Sequence, residues 1–352
     1  MIMRDPSDSG EHANSNDCIR EKMDSRTESA APVPHILILM PLRDDWASAL
    51  ELIRRLSQAI PNSFAVDIFI VDDGSLQRCH REDFRHLVDS VHGITVLRLR
   101  RNLGHQRAIA IGLAYIQQKI KCDAVLVMDS DGEDTPEGAV KLLRTYFESP
   151  GSNAVFAERR RRSESIVFQC FYHLYRFLHR GLTGIGVRVG NFSILPAEYL
   201  DTLVVMPEMW NHYAAAVFRS KLPFTMTPIS RGPRISGTSH MNFVALVSHG
   251  LSAMSVFGDI VSVRLLIGSL AGSLLAGLGI VLVVFIRLFT DKAIPGWATS
   301  AAGLLAIIMI QLITIATSFV FFMLSNRTNL GFMPIRDYAL FVEEVVNIHS
   351  NE

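Results

Sequence analysis

The chain has 352 residues, which is enough for one large domain or two ordinary ones, and 49% of its residues are hydrophobic. Its 34 basic residues balance its 34 acidic residues, so no global field indicates a nucleic acid as a partner. The four cysteines form no C-x-x-C pair and no zinc-binding spacing, and we interpret them as reduced thiols in a cytoplasmic domain: Cys18, Cys79, Cys122 and Cys170.

The beginning of the chain is polar. It contains "MIMRDPSDSGEHANSNDCIREKMDSRTESA" and lacks the apolar segment of about 7–15 residues that a secretory signal requires. A segment of this composition cannot bury enough apolar surface to order itself. We therefore expect residues 1–33 to form a disordered tail.

Apolar runs alternate with helical patterns from residue 34 onward. The runs "HILILMPL", "VDIFIVDDGS", "ITVLRLRRN" and "CDAVLVMDSDG" are typical of strands, and segments such as "RDDWASALELIRRLSQAI" have helical spacing. The helix that begins "TPEGAVKLL" has Thr135 as its cap and Pro136 in its first turn. This alternation predicts an α/β fold with a mostly parallel sheet that is covered by helices on both faces.

Two acidic clusters follow two of the predicted strands. Asp72 and Asp73 end one strand, and Asp129 and Asp131 follow another within "VMDSDGEDTPEG". Ligands of parallel α/β sheets bind beyond the carboxyl ends of the strands. We therefore expect both clusters to lie in one crevice.

The spacing of Asp129 and Asp131 predicts a cation. In an extended backbone the two carboxylates project to the same side, where they repel each other unless a positive charge is present. Mg²⁺ or Mn²⁺ typically binds through one or two carboxylates and substrate phosphates, and Glu133 is placed to be a further ligand. The alternative is a solvated acidic loop that caps the next helix, which suits Glu133 and Asp134 better than Asp129.

A site for a metal and a diphosphate predicts a nucleotide substrate. The sequence contains no Walker motif, and no G-x-G-x-x-G segment follows the first strand. These features argue against a P-loop enzyme and against a dinucleotide cofactor. A nucleotide-sugar donor is the natural candidate that remains.

The middle of the chain is aromatic and basic. The segment "IVFQCFYHLYRFLHRGLTGIG" interleaves aromatic residues with histidines and arginines, which fits a helix at a membrane surface, with plain core packing as the alternative. The segment "NFVALVSHGLSAMSVFG" leaves the same two alternatives open. We expect a juxtamembrane amphipathic helix at 241–262.

Two uncharged apolar segments follow. Each is long enough to cross about 30 Å of hydrocarbon as a helix, and each is rich in the residues of bilayer helices. A buried core helix is the alternative. We expect two transmembrane helices at about 265–287 and 298–324, within 263–326, and a cytoplasmic tail at 327–352.

The flanks of these segments carry a slight basic bias. Nucleotide sugars are cytoplasmic and no signal exports the large domain, so we expect that domain and both termini in the cytoplasm. The membrane would be the inner membrane of a bacterium or the endoplasmic reticulum of a eukaryote. Small residues in "GSLAGSLLAGLG" allow close helix contact and predict a homo-oligomer: Gly268, Gly272, Gly277 and Gly279.

The motifs, taken in order, resemble those of the family 2 glycosyltransferases with a GT-A fold. "ILMPLRDD" is similar to the family's first strand, "IVDDGS" to its nucleotide-binding strand end, and "RNLGHQRAIAIGL" to its R-N-x-G-x-x-x-A-x-x-x-G segment. "MDSDGEDTPE", "RISGTSHM" and the two C-terminal spans resemble the polyprenyl-phosphate branch, which includes dolichol-phosphate mannose synthase and the GtrB-like enzymes. The resemblance covers about residues 35–325 and implies a GT-A domain at 34–240.

The resemblance implies a metal-dependent transfer of a sugar, with inversion, from a nucleotide-sugar donor to a polyprenyl phosphate such as undecaprenyl or dolichyl phosphate. Asp129, Asp131 and Arg234 would be catalytic, and Asp131 and Glu133 would hold Mg²⁺ or Mn²⁺. The nucleotide would be bound by Pro41, Arg43, Asp45, Asp72, Asp73, Asn102, Gly104 and Asp129. The lipid phosphate would be bound by Arg159, Arg162, Arg234 and Ser239.

The sequence departs from the family pattern in three places. "GNFSIL" stands where G-D-F-R-L is common, so Asn191 and Ser193 replace an acid and an arginine. His240 stands where lysine is usual, and Arg43 replaces an aromatic residue at the base-binding strand. These changes predict an unusual donor or acceptor, or reduced activity.

Three other functions fit parts of the sequence. A processive polysaccharide synthase usually shows Q-x-x-R-W after the D-x-D, and this chain has no such motif. A transferase that acts on another membrane lipid, such as a diacylglycerol, stays open. A non-catalytic membrane partner that retains the fold is favoured slightly by "GNFSIL" and disfavoured by the intact acidic clusters.

Overall fold

The computed structural model describes residues 33–84, 87, 91–149, 151, 153–159, 177–184, 189–237, 243–290, 294, 296–328 and 331–350. Pro34–Glu352 form one compact unit. The predicted tail at 1–33, apart from Val33, lies outside the described residues. So does most of the aromatic and basic segment, at 166–176 and 185–186.

One mixed sheet organises the part of the chain that the structure describes. Its strands are β1 (His35–Leu42), β2 (Ala65–Asp72), β3 (Gly93–Leu99), β4 (Ala124–Val127), β5 (Ala154–Arg159), β6 (Val189–Pro196), β7 (Phe224–Ile229) and β8 (Val342–Ser350). They lie in the order β7-β5-β6-β4-β1-β2-β3-β8. The neighbours β3, β2, β1 and β4 are parallel, whereas β8 and β6 are antiparallel to β3 and β4.

The apolar runs explain why these strands form the centre of the sheet. All four residues of β4 and seven of the eight residues of β1 are buried. Parallel strands that are covered on both faces have nearly continuous apolar sequences, because neither face meets water. The expected α/β fold with a mostly parallel sheet is confirmed.

Helices cover both faces of this sheet. The helices α1 (Trp46–Ala59) and α3 (Pro136–Glu148) pack on the face of β1 that presents Ile36 and Ile38, whereas α2 (His105–Lys119) packs on the face that presents Leu37 and Leu39. Alternation along a strand sends successive side chains to opposite faces, so each face has its own apolar core. The Thr135 hydroxyl accepts from the Gly138 amide at 3.1 Å, which confirms the predicted cap of α3.

Shorter helices and a long hairpin complete the described chain. The helices are α4 (Tyr199–Leu203), α5 (Tyr213–Ser220), α6 (Phe243–Ser255), α7 (Gly258–Phe289), α8 (Trp297–Thr328) and α9 (Pro334–Asp337). Three-residue and four-residue 3-10 turns lie at Arg81–Phe84, Pro207–Trp210 and Tyr338–Leu340. Residues 177–183 are also helical.

The helices α7 and α8 fit the expected transmembrane hairpin. Both are long and apolar enough to cross a membrane, and only 17% and 6% of their most apolar windows are buried. Leu275 and Ile310, for example, are 68% and 60% exposed. A core helix of a soluble protein would bury such side chains, so the exposed apolar surface of the hairpin fits a lipid environment.

The first of these helices begins earlier than the sequence predicts. We expected one amphipathic helix at 241–262, but α6 ends at Ser255 and α7 already begins at Gly258. The charges near the start of α7 have partners in the sheet domain: Asp259 pairs with Arg219 at 2.7 Å, and Arg264 donates to the Gly181 carbonyl at 2.8 Å. The first turns of α7 therefore contact α5 and the helix at 177–183.

The sequence predicts a tail at 327–352, after the hairpin, but this segment contains a strand. It returns to the sheet, where β8 pairs with β3 in antiparallel register. Val345 and Val346 pack on the edge of the sheet beside Leu97 and Val96. An edge strand that lies about 250 residues from its partner leaves no local sequence pattern beyond its own alternation, which explains why the prediction missed it.

Two of the predicted oligomerisation glycines serve the hairpin itself. A Cβ atom at Gly272 would lie 2.9 Å from the Leu312 side chain, and one at Gly279 would lie 3.1 Å from the Leu305 side chain. These glycines allow α7 and α8 to approach each other closely. A Cβ atom at Gly268, by contrast, would meet nothing within 4 Å.

Candidate active site

The two acidic clusters lie together at the carboxyl edge of the parallel strands. The Asp73 amide donates to the Leu42 carbonyl at 2.8 Å, and the Ser130 hydroxyl donates to the Pro41 carbonyl at 3.0 Å. These bonds join the end of β1 to the segments that follow β2 and β4. The structure therefore brings both predicted clusters together at one edge of the sheet, where a parallel α/β sheet holds its ligands.

Asp73 fixes the loop that precedes α2. Its carboxylate accepts from the amides of Leu103 at 2.6 Å and Gly104 at 2.8 Å. The Asn102 side chain accepts from the same Gly104 amide at 3.0 Å, and Gly104 has a φ of 97°, which favours glycine. Burial raises the pKa of Asp73 above its ordinary value, although the two amide donors oppose the shift.

Asp72 lies between the turn that follows β2 and the neighbouring strand β3. One of its oxygens accepts from the Ser75 amide at 2.9 Å, and the other lies 3.9 Å from Nε of Arg98. Gly74 has a φ of 68°, and a Cβ atom there would lie 2.6 Å from the Asn102 amide nitrogen. The turn "DDGS" therefore requires glycine in order to place both aspartates at the strand end.

The segment after β1 contacts the loop that follows β7. The Asp45 carboxylate accepts from the Ser236 hydroxyl at 3.5 Å, and the Ser236 and Ser48 hydroxyls lie 2.6 Å apart. The Arg43 side chain is half exposed, and its Nε lies 3.6 Å from the Asp44 carboxylate. The loop after β7 thus closes one side of the crevice.

His105, the first residue of α2, joins the second acidic cluster to β6. Its Nε2 lies 3.1 Å from Asp129 Oδ1 and 3.0 Å from Asn191 Nδ2. Burial opposes the charged form, but the carboxylates of Asp129, Asp134 and Asp131 together raise the pKa of His105 above its ordinary value. The site therefore contains an imidazole next to the carboxylate that we expected to face the donor.

Two arginines pair with the carboxylates that we expected to hold a metal. Nη2 of Arg234 lies 2.7 Å from Oδ2 of Asp131, and the Arg231 guanidinium pairs with Glu133. Burial raises the pKa of Asp131, and the Glu133 amide and the Arg234 guanidinium oppose that shift. The pairs give the buried carboxylates the positive charge that their crowding requires.

Backbone contacts fix the loop that carries these arginines. The Gly232 amide donates to the Glu133 carbonyl at 2.9 Å, and the Ile235 amide donates to the Asp131 carbonyl at 3.0 Å. Gly132 has a φ of 85°, and a Cβ atom there would lie 2.5 Å from the Ile235 side chain. The sequence "SDGED" therefore needs its glycine for the loop to dock.

The residues present fit a divalent cation with oxygen ligands. Asp131 and Glu133 are buried, and the negative charges of Asp129 and Glu133 disfavour a negative charge on Asp131. Among the described residues, no group of three His, Cys, Asp or Glu side chains forms a ready metal centre. A hard cation that takes one or two carboxylates and completes its shell with substrate phosphates is compatible with this arrangement.

Asn191 and Ser193, which depart from the family pattern, are buried and hydrogen-bonded. Gln106 donates to the Asn191 side chain at 3.2 Å. The Ser193 hydroxyl donates to the Asn191 carbonyl at 2.8 Å and lies 2.7 Å from the Tyr213 hydroxyl. Neutral side chains therefore form a bonded network where the family commonly has an acid and an arginine.

Two predicted residues of the lipid-phosphate site fall outside the part of the chain that the structure describes. They are Arg162 and Ser239. Only the backbone of Arg159 is described, at the end of β5, where it is in register with Ile229 of β7. That strand end lies at the same edge as the acidic clusters, because β5 is antiparallel to β6 and β6 to β4.

Sequence reasoning missed His105 and Arg231. His105 follows the loop glycine in "RNLGHQ", and Arg231 stands three residues before Arg234 in "SRGPRIS". The signal that could have found them is their position in the sequence. His105 follows Gly104, which is predicted to bind the nucleotide, and Arg231 lies close to Arg234, which is predicted to bind the lipid phosphate. Neither contact can be derived from spacing, because each joins loops that follow different strands.

Comparisons with known proteins relate this chain to glycosyltransferases. Residues 37–201 match the model of the family described as "Glycosyl transferase family 2". An uncharacterized glycosyltransferase, YkcC of Bacillus subtilis (strain 168), is 26% identical over 273 residues, which cover 74% of this chain and 80% of that protein. The undecaprenyl-phosphate 4-deoxy-4-formamido-L-arabinose transferase of Salmonella choleraesuis (strain SC-B67) is 24% identical over 291 residues, which cover 81% of this chain and 85% of that protein.

Similar solved structures include glucosyl-3-phosphoglycerate synthase from Mycobacterium tuberculosis. It aligns with a TM-score of 0.46 and 14% identity over 65% of this chain and 80% of that chain. Family model, relatives and the sheet with its acidic edge point the same way. Residues 37–201 carry a glycosyl transferase family 2 domain, and the chain is a glycosyltransferase.

Proposed function

We propose that this glycosyltransferase transfers a sugar from a nucleotide-sugar donor to a polyprenyl phosphate, with inversion and with the help of Mg²⁺ or Mn²⁺. The observation that carries the proposal is the pairing of two buried carboxylates, Asp131 and Glu133, with the partly exposed Arg234 and Arg231 at the sheet edge, in a chain with an apolar hairpin. Such a cluster suits a diphosphate leaving group. The relative that acts on undecaprenyl phosphate supports the choice of acceptor.

The donor nucleotide would occupy the crevice between β1, β2 and β4. We assign its binding to the residues named from the resemblance: Pro41, Arg43, Asp45, Asp72, Asp73, Asn102, Gly104 and Asp129. The first turn of α2 supports this assignment, because amides at the amino end of a helix favour an anion. Asp73 would act by shaping the loop at 102–104, since both its oxygens accept backbone amides.

The diphosphate would lie against the second acidic cluster. Asp131 and Glu133 would hold the cation, which when bound would polarise the diphosphate and stabilise its departure. Arg234, now paired with Asp131, would add positive charge as the leaving group develops negative charge. Asp129, held beside His105, would face the sugar.

The acceptor would be a lipid monophosphate that is already ionised. One of its oxygens would attack the anomeric carbon while the bond from that carbon to the diphosphate breaks, and this single displacement inverts the configuration. Little help from a general base is needed. Basic and polar residues near the edge would bind the phosphate: Arg159, Arg162, Arg234 and Ser239.

We also propose a location and an assembly. Nucleotide sugars are cytoplasmic, so the sheet domain and both termini would lie in the cytoplasm, with the hairpin in a bacterial inner membrane or the endoplasmic reticulum. The open surface around Gly268 supports a homo-oligomer in that membrane.

Turnover by the purified full-length protein tests the proposal. The protein in detergent is incubated with undecaprenyl phosphate, Mn²⁺ and a panel of nucleotide sugars, and the glycolipid is measured by mass spectrometry. We expect a metal-dependent product that Asp131→Asn reduces at least about 100-fold, because an electrostatic contact to the leaving group is lost.

Asp201→Asn is the matched control. Asp201 is exposed on α4, beyond the opposite edge of the sheet, and accepts from Gln117 at 3.0 Å, so this variant keeps full turnover. Nucleotide binding without glycolipid would contradict the polyprenyl-phosphate acceptor. Lack of any nucleotide binding would contradict the donor and favour a non-catalytic membrane partner.

A further inference from the structure

A row of charges crosses three neighbouring strands beside the acidic edge. Asp72 of β2 is in register with Arg98 of β3, and Arg98 is in register with Glu344 of β8. Residues that are directly opposed on neighbouring strands place their side chains next to each other. The row therefore runs from acid to base to acid, and its outer member comes from the strand that follows the membrane hairpin.

The guanidinium of Arg98 is held on three sides. It pairs with Glu344 through Nη1, donates to the Cys79 carbonyl through Nη2 at 2.9 Å, and presents its buried Nε to Asp72 at 3.9 Å. The side chains of Arg98 and Asp72 are only 13% and 4% exposed. Charges this far from water depend strongly on the geometry of their partners.

The contacts of Asp72 show what this row controls. One oxygen is fixed by the Ser75 amide at 2.9 Å within the strand-end turn. The other oxygen lies 3.9 Å from Nε of Arg98, so this guanidinium is the charged neighbour of the carboxylate on the side of β3. Glu344 and the Cys79 carbonyl are the groups that hold the guanidinium there.

We propose that Glu344 is a positioning residue for the donor site. Acting through Arg98, it holds the Asp72 carboxylate in the orientation that the donor nucleotide requires, without touching the nucleotide. This inference rests on the proposed function, in which Asp72 binds the nucleotide. It makes β8 part of the donor site, although β8 belongs to the chain beyond both membrane helices.

The neighbouring glutamate provides a matched control. Glu343 pairs with Arg78 at 2.8 Å, and its side chain is 39% exposed, almost the same as the 40% of Glu344. Glu343→Gln and Glu344→Gln therefore remove the same charge from adjacent positions of one edge strand. The two glutamates share Arg78, whose Nη1 lies 3.6 Å from Glu344, but only Glu344 pairs with Arg98.

Binding of nucleoside diphosphates to the full-length protein tests the proposal. Titration calorimetry with Mn²⁺ and UDP, GDP, CDP or dTDP measures the Kd of each variant in detergent. We expect Glu344→Gln to raise the Kd roughly tenfold, as the loss of a charged hydrogen bond does, and Glu343→Gln to leave it within about twofold. The double variant Glu344→Gln/Arg98→Gln should bind no more weakly than Arg98→Gln alone, because both changes act on one path.

Turnover separates positioning from general damage. If the proposed reaction is observed, Glu344→Gln should raise the KM for the donor and leave kcat nearly unchanged, and Glu344→Asp should restore part of the affinity. Equal affinity of Glu344→Gln and the unaltered protein, or equal losses in both glutamate variants, would overturn the proposal and leave the donor assignment intact. If the unaltered protein binds none of the four diphosphates, the donor assignment fails and this inference fails with it.

Discussion

Gly74 determines how closely the turn after β2 can approach the loop before α2. Its φ of 68° lies in the left-handed region, and its missing Cβ atom leaves room for the backbone of Arg101 and Asn102. Neither of those neighbours is a flexible side-chain end that could move aside. The two aspartates of the turn therefore depend on a residue that carries no chemistry of its own.

We expect Gly74→Ala to lower the stability of the sheet domain by about 2 kcal/mol or more, through the left-handed backbone and the clash at 2.6 Å with the Asn102 nitrogen. Thermal unfolding of the purified protein measures the change. Gly181→Ala is the control, since a Cβ atom there meets nothing within 4 Å and alanine favours the helix. Equal melting temperatures for Gly74→Ala and the unaltered protein would contradict the close approach.

At the same scale, the acidic residues of the site could be predicted and their partners could not. Asp72, Asp73, Asp129 and Asp131 each follow an apolar run, and the rule for parallel sheets places such residues at one edge. The pairing of Arg231 with Glu133 depends on how a distant loop docks. The spacing of residues along the chain does not predict that docking.

Among the elements, β1 is tied to its neighbours by a histidine at its first residue. Nε2 of His35 lies 2.8 Å from the Asp67 carboxylate of β2, and Nδ1 lies 2.9 Å from the Lys121 carbonyl, just before β4. When the ring is protonated, both nitrogens donate. The hydrogen bond to Asp67 is the main reason that the pKa of His35 is raised above 6.5.

This raised pKa gives a pH dependence with a definite sign. The contact contributes fully below pH 6.5, where His35 is protonated even in the unfolded chain, and its contribution is lost as the pH rises through the raised pKa. As the pH rises above 6.5, we expect the melting temperature of His35→Gln to fall less than that of the unaltered protein, because the variant has no such contact to lose. The exposed His92 provides the control variant His92→Gln, and identical pH profiles for both variants would contradict the role of the contact.

Elements differed in how far they could be predicted, for physical reasons. The strands and helices from β1 to α3 could be predicted, because each buries an apolar face whose residues recur with the period of a strand or a helix. The uncharged run predicts a membrane span from about residue 265, whereas the helix that contains this run already begins at Gly258. The strand β8 was missed because its partner is distant in sequence.

On the scale of the whole molecule, some small residues of the hairpin lie where α7 and α8 contact each other, and others lie on its open surface. Gly272 and Gly279 bring α7 and α8 together, whereas Gly268 faces no group of the described chain within 4 Å. A second copy would find its close approach there. The proposed homo-oligomer therefore predicts contacts on the Gly268 side of α7.

Cysteine crosslinking in native membranes checks this prediction. We expect Gly268→Cys to form dimers under mild oxidation above the level of the unaltered protein, which has four cysteines of its own. Ala276→Cys is the control, because Ala276 is only 6% exposed within the hairpin. Only monomers from Gly268→Cys would count against an oligomer built on this face.

The return of β8 to the sheet also sets an order of events during synthesis. The ribosome completes β3 long before it makes β8, and it makes both membrane helices in between. The edge of the growing sheet therefore stays open while the hairpin is being made, and it closes only afterwards. A chain that is cut between α8 and β8 would keep β3 as an exposed edge, with unpaired backbone groups that can join other chains.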